Sequence, residues 1–93
     1  MREIEVFRKQ YGLFNEAFGQ INMKYEKDII TRQRALIKYE MLLEEISFFI
    51  DYYANKTKNL DHIMTEVKTI LCLKNNIYNR MEQIKGYYQH IEL

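Results

Sequence analysis

Residues 22–32 read Asn22-Met23-Lys24-Tyr25-Glu26-Lys27-Asp28-Ile29-Ile30-Thr31-Arg32, and the path of the chain through them decides the fold. On the N-terminal side, Ile4, Phe7, Tyr11, Phe14, Phe18, Ile21 and Tyr25 follow one another at spacings of three and four. On the C-terminal side the same frame continues without a phase break through Ala35, Tyr39, Leu42, Ile46, Phe49 and Tyr53. Apolar residues so spaced form one face of an amphipathic helix. Asp28 and Arg32 are the two polar positions in this seam. As an i, i+4 pair they support one continuous helix and set its register; alternatively Asp28 caps a new helix. Nothing between 22 and 31 is a proline or glycine, the residues that stop helices. A helix running through is therefore the expectation, with a fold-back near 22–28 as the alternative.

The rest of the chain carries the same message. There is no proline in 93 residues, and glycine occurs only at Gly12, Gly19 and Gly86. After residue 28 a second apolar row, Ile29, Leu36, Leu43 and Ile50, widens the stripe from a coiled-coil seam to the face of a helix buried in a bundle. The pattern stops at the polar run Asn55–Asn59, which reads as a loop, with Asn59 or Asp61 able to cap the next helix. That helix is expected over 60–91, with one row at Ile63, Val67, Ile70, Lys74, Ile77, Met81, Ile84, Tyr88 and Ile91. A flanking row holds Leu60, Met64, Leu71 and Tyr78. The chain thus reads as a single all-α domain over 1–93. It is either a long antiparallel helical hairpin with coiled-coil-like packing or, if the segment over 3–54 breaks, a three-helix bundle.

Length turns this choice into a question of partners. At 1.5 Å per residue a helix over 4–53 is about 75 Å long and one over 60–91 about 48 Å. In a hairpin, the residues before about 23 overhang, and they carry six large apolar side chains. Leaving these wet forgoes on the order of 10 kcal/mol, comparable with the stability of a whole domain. Either the first segment folds back or another chain covers it. On the continuous reading, Phe7, Tyr11, Phe14, Phe18, Ile21 and Tyr25 form a partner or self-association interface, in a homodimer or hetero-complex. Phe14→Asp or Phe18→Asp would then abolish binding and leave a soluble helical protein. On the folded-back reading, the surface for a partner moves to Tyr52, Tyr87 and the charged outer faces.

Composition excludes more than it selects. Apolar residues at 47% and charged residues at 29% suit a folded protein and not a disordered one. A net charge of +1 gives no long-range attraction to nucleic acid or anionic membranes. No apolar run approaches the roughly 18 residues of a membrane span. The single cysteine, Cys72, cannot form an intramolecular disulfide and suits a reducing compartment, so a cytoplasmic location is expected. Between Leu71 and Leu73 it reads as a half-buried packing residue.

No constellation of residues supplies both a reactive group and a pocket. There is no glycine-rich phosphate loop, no nucleophile elbow and no paired-cysteine site, so no enzyme and no cofactor are expected. His62 and Glu66, four apart, supply too few ligands for a closed metal site. The basic stripe Lys24, Lys27, Arg32, Arg34 and Lys38 is interleaved with Glu26, Asp28 and Glu40, which argues against nucleic acid as the partner. Glu40, Glu44, Glu45 and Asp51 read as a solvated face or as the complement to a basic partner. Tyrosine is abundant, eight with no tryptophan. In the pair Tyr52-Tyr53 the seam takes Tyr53 and leaves Tyr52 near the outside.

In length and in the two-helix reading, the chain is similar in architecture to the helical-hairpin substrates and partners of type VII secretion. The W-x-G turn of that group is absent, since there is no tryptophan, and the 55–59 loop lies past the midpoint. The expected function is a non-enzymatic helical protein–protein interaction module: a small adaptor, chaperone or inhibitor acting through an apolar helix face. A hairpin partner or substrate of a type VII-like system is the first alternative implied, and a small nucleic-acid-associated regulator the second.

Overall fold

The structure, a computed structural model, describes residues 2–25, 29–56 and 61–92, with side chains described for all of these except 25, 29, 30 and 87–92. Three helices carry the chain: α1 (Arg2–Tyr25), α2 (Ile29–Lys56) and α3 (Met64–Glu92), the last entered through a 3-10 turn at Asp61–Ile63. The ends of α1 are charged in the stabilising sense, with Glu3 and Glu5 in its first turn and Lys24 in its last. Among the described residues there is no strand.

The chain is a three-helix bundle, and the expectation of one helix through 22–32 is corrected. Phe7 meets Phe49 and Tyr53 at ring-centroid distances of 4.9 and 5.4 Å, and Phe18 meets Tyr39 at 5.7 Å. As one number rises the other falls, so α1 runs antiparallel to α2 along its length. The backbone measures 51 × 21 × 17 Å, too short for a helix of about 75 Å. Residues 26–28, between α1 and α2 in the sequence, lie outside the described residues. The roles expected of Asp28, and of its pairing with Arg32, lie there too.

Tertiary burial explains why a break forms without a breaker. Interrupting a helix gives up a few backbone hydrogen bonds, each worth about 0.5–1.5 kcal/mol net. Folding back removes Phe7, Phe14 and Ile21 from water, at roughly 1.5–3 kcal/mol each. Burial of the half-covered Ile4, Tyr11, Ala17 and Phe18 adds to the gain. Helical stability in proteins comes mostly from such packing, and local propensity yields to it.

The core is a heptad stack from two helices packed on a broader face of the third. Phe7, Phe14 and Ile21 recur every seventh residue in α1; Ile63, Ile70, Ile77 and Ile84 do the same along α3 and its entry turn. From α2 come Ala35, Tyr39, Leu42, Leu43 and Ile46, with Leu36, Phe49, Ile50 and Tyr53 half-buried beside them. Arg8 bonds Glu66 at 3.4 Å and Glu3 faces His62 at 3.8 Å, so α3 runs parallel to α1. The Tyr39 ring is fully buried, and its hydroxyl donates to Asn22 Oδ1, tying the end of α1 to α2.

The flank of α3 is corrected as well. Met64, Leu71 and Tyr78, read as a covered row, are 40–47% exposed, whereas Leu73 on the opposite flank is buried. Cys72 is exposed and not half-buried. Periodicity identifies the inward stripe, but which flank is covered depends on where the neighbouring helices sit. The expected polar loop also shortens at its start, because α2 continues through Lys56; residues 57–60 lie outside the described residues.

Candidate protein-interaction surface

The residues expected to form an interface sit inside the chain. Phe7, Phe14 and Ile21 are 1%, 7% and 9% exposed, and Tyr11 and Phe18 pack half-buried against the same core. The side chain of Tyr25 and all of Asp28 are outside the described residues; Arg32 is half-buried at the start of α2. The overhang that would have demanded another chain is covered by α2 and α3. With it goes the architectural ground for likeness to a two-helix secretion hairpin.

Exposed apolar side chains occur on all three helices, Met23 on α1 among them, and four of them lie on the outside of α2. Ile37, Met41, Phe48 and Tyr52 are 59%, 49%, 74% and 45% exposed. With Glu44 they fall at spacings of four, three, four and four, so they form one row along the helix, roughly opposite its buried face. This row is legible in the sequence. It is eclipsed there by the stronger seam, and of its members only Tyr52 reads as an outer residue.

The row forms one wall of an open groove of about 610 Å³. Its α2 side is built from Met41, Phe48, Phe49 and Tyr52; its α1 side from Phe14 and Gln10. The floor is rigid because its aromatic rings continue the core. Phe14 packs edge-on against Phe49 at 5.8 Å, and Phe49 against Phe7 at 4.9 Å. Thus the groove opens directly onto the aromatic cluster that holds α1 to α2. Leu13, 51% exposed, extends the apolar rim one helical step from Gln10.

The charge of the groove has one sign. Glu44 and Glu45 line it, and among the described residues no lysine or arginine does. Lys56, one turn beyond Tyr52, is engaged with it: Nζ donates to the phenolic oxygen at 2.5 Å and lies 4.4 Å from the ring centroid. The hydrogen bond to Tyr52, and then the charge on that phenol, hold the Lys56 ammonium above its ordinary range.

Other candidates resolve into ordinary contacts. Glu66 faces Arg8, and His62 faces Glu3. Among the described residues no three histidine, cysteine, aspartate or glutamate side chains gather where a metal could be held. No helix among them is long and apolar enough to cross a membrane. A second exposed apolar row, Met64, Leu71 and Tyr78, lies on α3, and of its members Tyr78 and Met64 each line a smaller pocket against α2. Comparison of the chain with family models, curated proteins and solved structures finds no match to any of the three, so a functional reading rests on these surfaces.

Proposed function

We propose that this chain is a non-enzymatic helical interaction module, an adaptor, chaperone or inhibitor, that binds another protein through the outer apolar face of α2. The observation that carries the proposal is Phe48. A phenylalanine 74% exposed is costly to leave in water, and it stands in a row with three further large apolar side chains beside a groove. Scattered single apolar residues are normal on a surface, whereas large apolar side chains gathered beside a groove favour an interaction site. Tyr52 contributes an aromatic face together with a hydroxyl, a combination enriched where proteins meet. The bundle behind the patch is preorganised, which lowers the entropic cost of binding.

A photoreactive phenylalanine analogue placed at position 48 tests this, with the same analogue at the exposed Glu16 as control. A discrete cross-linked protein is expected at position 48 and not at 16, and it should vanish when Met41→Ser is added. Equal labelling from both positions would dismiss the α2 face as the interface.

A further inference from the structure

Resting on that reading, we infer that the occupant of the α1–α2 groove is a basic amphipathic helix from a different protein, held by apolar anchors and selected by Glu44 and Glu45.

Shape gives the helix. From Met41 to Tyr52 the apolar wall runs eleven residues, about 16 Å, or three turns of a partner helix. Two roughly parallel helices with a trough between them accept a third helix by ridges-into-grooves packing. Such a partner is read as i, i+3 or i+4, and i+7 anchors. Phe49 and Phe14 make the floor, and Phe48 and Tyr52 stand at the side, so anchors of leucine size have both a base and a wall.

Charge gives the sign. Among the described residues, the two charged side chains that line the groove, Glu44 and Glu45, are both carboxylates. A partner presenting lysine or arginine beside its apolar stripe would neutralise Glu44 and Glu45; an acidic one would be repelled.

The same pair argues against a second copy of this chain. A two-fold axis through the middle of the α2 row sets its central residues opposite themselves, as in any isologous interface. That would place four carboxylates together around the axis. An anionic membrane surface is disfavoured for the same reason.

The test is a displayed library of amphipathic peptides of about 18 residues, long enough to cover the groove with a turn to spare at each end. Leucines are fixed at one face, and the flanking positions are randomised among lysine, glutamine and glutamate. The library is selected on the full chain, on Phe48→Ser, and on the double variant Glu44→Lys/Glu45→Lys, each first shown folded by circular dichroism. Lysine-rich helices are expected to win, binding about five- to tenfold more tightly than glutamate-rich ones of the same apolar face, with the preference shrinking in salt. They should fail on Phe48→Ser, and the double variant should invert the choice. Binders that require Phe48 but show no charge preference, or one the double variant leaves unmoved, keep the interface and overturn the basic partner. No binders, or binders indifferent to Phe48→Ser, remove the groove as an interface altogether. A concentration-dependent dimer dissolved by Phe48→Ser puts a second copy in the groove and also overturns the inference.

Discussion

At the scale of single residues, two phenylalanines separate core from surface. Phe7 is 1% exposed and touches Phe49 and Tyr53 edge-on. Phe7→Ala is expected to cost about 3–5 kcal/mol in urea unfolding, the range for emptying an aromatic site. Phe48, 74% exposed, makes no such demand, and Phe48→Ser should stay within about 0.5 kcal/mol of the parent. Phe14 joins both roles, since its ring is in the core while its edge lines the groove. Phe14→Asp buries a carboxylate without a partner, so the expected outcome is loss of the cooperative unfolding transition. An exposed interface seam would have left that transition in place. Circular dichroism against temperature distinguishes the two.

At the scale of helices, the apolar rows of α1, α2 and α3 are nearly all legible in the sequence, because a strict repeat of sevens leaves little freedom in which side faces inward. Ile63, Ile70, Ile77 and Ile84 show this most plainly, all at 3% exposure or less. The break between α1 and α2 is not legible. Residues 22–31 offer Asp28 as a possible cap but no proline or glycine that would force a stop, and the force that divides the helix comes from side chains twenty or more residues apart, such as Phe7 and Phe49. The outer row of α2 is present in the sequence but eclipsed by the stronger seam. It gains meaning only when α1 is placed beside it, since a groove needs two walls. The glycines make a prediction at this scale. A methyl group built on Gly12, Gly19 or Gly86 meets nothing within 4 Å, and all three lie inside helices. Each Gly→Ala change should therefore stabilise by about 0.5–1 kcal/mol. Combining Gly12→Ala with Gly19→Ala should raise the melting temperature by several degrees, on the scale of about 4–8 °C per kcal/mol for a domain of this size. Calorimetry reads it directly.

At the scale of the whole molecule, folding back makes the chain self-sufficient in its core, and a monomer is the expected solution species at low micromolar concentration. Small-angle scattering separates the architectures, since a Cα radius of gyration of 15.4 Å belongs to the bundle. An open hairpin with a helix of about 75 Å would scatter as a markedly longer particle. Three helices in alternating directions also have a consequence for anything tethered to them. An even number would return the chain to the side it started from; an odd number delivers the two ends to opposite poles. Glu3 lies beside His62 at one pole, and the end of α3 lies toward the other, along a body 51 Å long. The molecule is in this sense a strut, with the α1–α2 groove along the side of its shaft. Whatever is attached to its two ends is held apart by the length of the shaft, and neither attachment crowds the groove.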